Sequence, residues 1–212
     1  MAVISISRLV GSGAHEISQL LSKQLGYRLF DQELMAKLGV EAGLLSKGQV
    51  VDLTAERHHT HSALERMSHL APIRDTLALG AYEASGAGAE DRSAELVSKI
   101  MLFAYEQGNV VVDGRGSQGV LRDKPGVLHV RLVAPVEQRI EYLKKRDNIG
   151  TDEARKRVKD ADAAQTDYIR RYFDADINDP TLYHLIINTG KITQAAAVDL
   201  IIRALAGLPV KG

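Results

Sequence analysis

Apolar positions along this chain recur in two rhythms. Five short, nearly continuous apolar runs predict buried strands: Val3–Ser7, Tyr27–Phe30, Val110–Asp113, Leu128–Val133 and Leu185–Asn188. Runs such as Val110-Val111-Val112 suit a parallel sheet covered on both faces. Between them the period lengthens to that of a helix. From Ser12 to Leu25, residues Ile17, Leu20, Leu21 and Leu25 form one apolar stripe, Lys23 and Gln24 face away, and Gly26 stops the helix. Pro135 opens a later helix with Glu137 beside the positive end of its dipole. Thr151-Asp152-Glu153 predicts an N-cap and acidic first turn, and Thr193 a cap for a last helix that turns Ala197, Leu200 and Ile201 inward. The alternation of strand and helix predicts an α/β fold with a doubly wound, mainly parallel, five-stranded sheet.

Residues 40–107 break the alternation with helical patterns only, about Gln49–Leu70, about Ile73–Ala84 and Ala94–Gln107, separated by Pro72 and the small-residue loop Ser85–Ala89. They are expected to form a helical lobe inserted into the single domain 1–212. A second charged helical section, 144–175, ends in Arg170-Arg171-Tyr172-Phe173.

Composition narrows the function classes. Lys+Arg 27 balances Asp+Glu 27, which argues against a surface for nucleic-acid polymers. The absence of cysteine removes disulfides, thiolate nucleophiles and cysteine zinc sites. No basic leader and apolar core opens the chain, and no apolar run nears the ~20 residues of a membrane span, so a cytoplasmic protein without membrane contact is expected. A homodimer is left open.

Candidate chemistry starts at the turn after the first strand, Ser7-Arg8-Leu9-Val10-Gly11-Ser12-Gly13-Ala14-His15-Glu16. Strand, glycine turn and helix aim backbone N–H groups at a phosphate. Against the spacing G-x-x-x-x-G-K-[ST], Gly11 and Gly13 fall in place, whereas Arg8 stands at the first glycine, Ala14 at the lysine and His15 at the Mg²⁺-binding hydroxyl. Arg8 or Arg115 could replace the lysine, and a protonated His15 could donate to phosphate; Arg8 could equally pair with Glu16 or Asp113 and pin the turn. Glu16 would repel a bare phosphate unless turned away. Asp113 closes an apolar strand and is expected to contact Mg²⁺, directly or through water. Gly114 and Gly116 leave Arg115 projecting between them. Arg139 and Arg146, seven residues apart, could present one cationic helix face to phosphates. The cluster His58, His59, His61 and His69 lacks a completing metal motif and is expected on a surface.

With these residues in hand, the chain resembles the cytidylate kinase-like family of P-loop nucleoside monophosphate kinases. The likeness is carried by Ile4-Ser5-Ile6-Ser7-Arg8 with Gly11-Ser12-Gly13, Leu25-Gly26-Tyr27 and Phe30-Asp31, then by Gly114-Arg115-Gly116, and by Asp179-Pro180-Thr181-Leu182-Tyr183 running to Asn188-Thr189. It departs from the family's Asp-x-x-Arg-x-x-Tyr pattern at Gln165, within Asp162 to Tyr168. The resemblance implies a P-loop NTPase type of fold and phosphorylation of CMP or a related monophosphate by ATP with Mg²⁺. It also implies that Asp31 and Arg115 bind the acceptor, that Ala14, His15 and Glu16 lie in the ATP loop, that 40–107 forms the monophosphate lobe, and that 144–175 holds the lid. The missing lysine and Gln165 keep an alternative, a catalytically weakened nucleotide-binding regulator. A partner-binding scaffold ranks below both.

Overall fold

The computed structural model of the chain describes residues 2–30, 34, 37, 38, 40 and 89–208. The chain divides into two compact units, Met1–Leu29 with Gly108–Gly212, and Phe30–Gln107. Asp31, the expected helices Gln49–Leu70 and Ile73–Ala84, and the His58–His69 cluster lie outside the described residues. In the second unit the described helix is α2, Ala89–Gln107, which begins before the predicted Ala94 and buries Val97, Ile100, Met101 and Ala104 along one stripe.

The first unit is built on strands β1 (Val3–Arg8), β2 (Arg28–Phe30), β3 (Val110–Asp113), β4 (Val127–Val133) and β5 (Leu185–Asn188). Their order across the sheet is β2-β3-β1-β4-β5. β1 runs parallel to β3 and β4, and β4 parallel to β5. Helix α1 (Ala14–Leu25) follows β1, and the short α3 (Ser117–Val120) follows β3. α4 (Val136–Asp147) and α5 (Thr151–Phe173) separate β4 from β5, and α6 (Gln194–Ala206) ends the unit.

The pleat sorts β1 and β4 into two faces of different character. Ile4, Ile6, Leu128, Val130 and Leu132 pack with Ile17 and Leu21 of α1 and Ala197, Val198 and Ile201 of α6 in one apolar core. The opposite face carries Ser5, Ser7, His129 and Arg131, all buried. A smaller core joins α4 to α5 through Ile140, Leu143, Ala154 and Val158, with Val10 of the β1–α1 loop packed against it.

Three helix details differ from the apolar pattern. Leu20 and Leu200 are 36% and 45% exposed, because the stripes that meet the sheet are the narrower Ile17–Leu21 and Ala197–Ile201 rows. Gly150, extended at φ −71°, is the N-cap of α5, so Thr151 is its first helical residue rather than its cap. Thr193 does cap α6, its side chain accepting from the Ala196 N–H.

Candidate active site

The site begins where β1 and β3 end side by side. α1, which follows β1, packs on the Ile4 and Ile6 face of the sheet, while α3, on the way from β3 across β1 to β4, meets the opposite face through Ser117 and Ser5. Neighbouring strands whose connections diverge in this way open a crevice at their carboxyl ends, where α/β sheets hold ligands.

Arg8 and Asp113 close those two strands and meet there, Arg8 Nε donating to Asp113 Oδ1 at 2.5 Å. His15, in the first turn of α1, brings Nδ1 to 3.4 Å from Asp113 Oδ2. Burial opposes ionisation of Asp113, but the Arg8 charge and the hydrogen bonds from His15 and Arg8 prevail and hold its carboxyl at about 2. The same hydrogen bond to Asp113 raises His15 above its ordinary value, against the opposing effect of its own burial. Of the two roles open to Arg8, the geometry shows the pairing with Asp113. The side chain crosses from β1 to β3 instead of folding back over the loop. Both Asp113 oxygens therefore have partners, the Arg8 guanidinium and the His15 ring, and direct coordination of Mg²⁺ requires that one of them give way.

The loop itself is built for a close approach. Gly11 has φ +78°, and a Cβ there would lie 2.7 Å from the Arg139 carbonyl oxygen. Gly13, also left-handed at φ +70°, caps α1 without any side-chain hydrogen bond, so the first-turn N–H groups have no side-chain cap. Ser12 presents a buried Oγ with no hydrogen-bond partner. Thr189, at the end of β5, ties the loop down by donating to the Ser12 carbonyl at 2.8 Å. Glu16 Oε1 accepts from the Tyr142 hydroxyl of α4, while Oε2, 4.0 Å from where a Cβ on Gly13 would lie, is buried without a partner. An uncapped helix N-terminus with glycines on either side of an orphaned hydroxyl fits a phosphate group.

After β3 the chain turns through three successive left-handed residues, Gly114, Arg115 and Gly116, at φ +79°, +58° and +72°. A non-glycine residue in this region stores strain, and such strain concentrates at functional turns. Arg115 is half-buried and close enough to Tyr168 of α5 for its charge to act on that phenol. The ring of Tyr168 and that of Phe173 lie over Gly116, where a Cβ would come within 2.8 and 2.9 Å of them.

Arg139 and Arg146 do not form the joint cationic face that their spacing suggests. Arg139 is 1% exposed and grips Asp162 of α5 with both Nη groups, at 2.8 and 2.5 Å. Arg146 grips Asp147 and lies over the Tyr142 ring, 5.7 Å from its centroid. The backbone of Arg139 lies against Gly11. Its side chain locks α4 to α5.

Periodicity alone missed Arg131, Asp162 and Tyr142. Arg131 was detectable: it interrupts the apolar run Leu128 to Val133 with a charge that an ordinary buried strand does not carry. Among the described residues, no group of three or more His, Cys, Asp or Glu side chains is placed to hold a metal ion. No helix there is long and apolar enough to cross a membrane.

A phosphate-type loop joining the first strand and first helix of a doubly wound sheet defines an α/β protein of the P-loop kinase fold. Residues 3–191 match the Cytidylate kinase-like family, and the chain belongs to it. It is 26% identical over 206 residues to the cytidylate kinase of Methanoregula boonei, covering 92% of this chain and 93% of that one. The cytidylate kinase of Pyrococcus horikoshii is 25% identical over 189 residues, covering 89% and 80%. The fold also superposes on a crystal structure of a protein from Eubacterium ventriosum with TM-score 0.67 at 18% identity, over 98% of this chain and 99% of the other. A shikimate kinase from Acinetobacter baumannii superposes with TM-score 0.51 at 12% identity, over 100% and 96%.

Proposed function

We propose that this protein is a nucleoside monophosphate kinase that transfers the γ-phosphoryl group of ATP to CMP or a closely related monophosphate. The observation that carries the reading is the uncapped, glycine-built N-terminus of α1 at the carboxyl end of β1, in a chain whose family relatives are cytidylate kinases. Backbone N–H groups of Gly11 to Glu16 cradle the ATP phosphates. The strained Arg115 takes the acceptor phosphate, and Asp31 stands on the acceptor side. Phosphoryl transfer needs little covalent help, so holding the two phosphates in line is most of the work. When bound with ATP, Mg²⁺ would supply charge neutralisation at the phosphates, with Asp113 the residue to contact it directly or through water. Residues 40–107 serve as the monophosphate lobe and 144–175 as the lid.

A second reading, a nucleotide-binding regulator with little turnover, is favoured by one set of observations: Ala14 and His15 in the loop, Gln165 in α5, and an Arg8 already committed to Asp113. One experiment separates the two. The protein is incubated with ATP, Mg²⁺ and each of CMP, dCMP, UMP and AMP, with ADP formation and thermal unfolding followed together. The kinase reading expects ADP with a pyrimidine monophosphate. Stabilisation by nucleotide without turnover selects the regulator. Neither signal at millimolar nucleotide removes both.

A further inference from the structure

Arg131 is 4% exposed in the middle of the sheet. Its Nη1 donates to the Ser7 hydroxyl at 2.7 Å and, at 3.5 Å, to the Gln165 side-chain carbonyl of α5. Its guanidinium carbon lies 5.9 Å from the centroid of the Tyr183 ring. Every one of these partners is neutral. Asp162 is the carboxylate whose charge acts on Arg131, but its oxygens are already held by Arg139, itself 1% exposed. Among the described residues these two buried guanidiniums thus share the Asp162 carboxylate, so the trio carries one more positive charge than negative. Arg139 also has a buried Nε with no hydrogen-bond partner.

An uncompensated buried cation is costly, and its attraction for an arriving anion is correspondingly strong in a water-poor setting. The residues that carry this charge are tied to the phosphate loop in two places. Ser7, the partner of Arg131, directly precedes Arg8 at the carboxyl end of β1, and the backbone of Arg139 packs on Gly11. The guanidinium fork matches phosphate oxygens in geometry, and the neutral Gln165 amide that now faces it yields more cheaply than a carboxylate would.

We propose that Arg131 is a substrate-contacting residue, whose guanidinium binds the phosphate chain of the nucleotide held by the Gly11–Glu16 loop, in exchange for its contact with Gln165. This rests on the reading of that loop as a nucleotide site. The cation that the loop lacks at position 14 is then supplied from strand β4.

The test uses the full chain and inorganic tripolyphosphate, which carries the phosphates of ATP without its base. Calorimetric titration of the wild type, Arg131→Met and Arg131→Lys gives the affinities, and urea unfolding gives the stabilities. Loss of one charge-assisted contact predicts about ten- to hundred-fold weaker binding by Arg131→Met, with part of the loss restored in Arg131→Lys. A purely structural arginine would lower stability and leave the affinity of the folded protein unchanged, and that result overturns the proposal while the nucleotide site stands. Failure of the wild type to bind tripolyphosphate, ATP or ADP removes the nucleotide site as well. If Arg131→Met does not fold, the ¹⁵N–¹H Nε signal of Arg131 in the wild type, assigned by its loss in Arg131→Lys, decides. A shift on adding tripolyphosphate supports the contact, and an unmoved signal in protein that binds the ligand refutes it.

Discussion

At the scale of single residues, one face of the sheet departs from ordinary core composition. Ser5, Ser7, His129 and Arg131 are all buried there, and each asks what its polar group is for. Ser5 is answered by Ser117, its hydroxyl donating across 2.8 Å. His129 stacks on His184 with ring centroids 5.6 Å apart, shares its Nε2 proton with the Leu121 carbonyl at 3.2 Å, and leaves Nδ1 without a partner. Burial, reinforced by the charge of His184, depresses its folded-state value from 6.5 to about 4. Above pH 6.5 neither folded nor unfolded state gains a proton at this site. As pH falls toward 4 the unfolded chain binds a proton that the folded protein refuses, so stability declines, by roughly 3 kcal/mol over the whole interval. His129→Gln keeps a donor in place of Nε2 and removes the titration. Urea unfolding at a series of pH values is expected to show a flatter acid limb for the variant, and an unchanged slope would refute the assignment. Such a residue was hard to recognise in advance, because a histidine in an apolar run carries no mark of whether it is neutral. Asp113 was easier: a carboxylate ending a buried strand has only the crevice to face.

At the scale of elements, the strands were legible as short apolar runs, and all five fall where those runs lie, to within a residue at either end. Burial on both faces holds only for the inner strands: the expected buried run Leu185–Asn188 forms an edge strand whose Ile186 is 46% exposed. The helix stripes were less so. Periodicity marks which residues share a side but not how wide a strip meets the sheet, which is why Leu20 and Leu200 stand in solvent. The contact between α3 and α5 left no pattern at all, since it joins glycines to rings distant in sequence. A Cβ built on Gly119 would lie 2.3 Å from Cγ of Phe173. Gly119 is helical and has no positive φ, so alanine would favour the local backbone while colliding with the ring. Gly119→Ala is therefore expected to destabilise by about 1–3 kcal/mol through overpacking. Combining it with Phe173→Leu should cost less than the sum of the two single changes, and strict additivity in urea unfolding would show that the ring is not what the glycine accommodates.

At the scale of the whole molecule, the sheet brings to one crevice residues from the two strands whose connections part, and the charge balance there decides how a phosphate is met. Asp113 holds Arg8 at 2.5 Å and lies 3.4 Å from the His15 ring, so the carboxylate occupies the guanidinium that ends β1. Two assignments of Asp113 follow, and they predict opposite signs. If Asp113 is a metal contact, Asp113→Asn removes a ligand and weakens binding of Mg²⁺ with ATP. If it is the resting counter-ion of Arg8, the same change frees a guanidinium for the phosphates and tightens binding. The pairing seen here favours the second, and Asp113→Asn is expected to raise ATP affinity about tenfold, a fraction of what one charge-assisted pair can supply. Adding Arg8→Ala to that variant should abolish the gain, because the freed cation is then gone. Stability should respond in the opposite order. Arg8→Ala alone leaves a buried carboxylate short of its main partner and destabilises by about 3 kcal/mol, whereas in the Asp113→Asn background the same change costs far less. Titration calorimetry with and without Mg²⁺ reads the affinities. Weaker ATP binding by Asp113→Asn that appears only with Mg²⁺ would return Asp113 to the metal, and Arg8 would then be a pin for the turn, leaving the backbone of α1 and the cation on β4 to meet the phosphates.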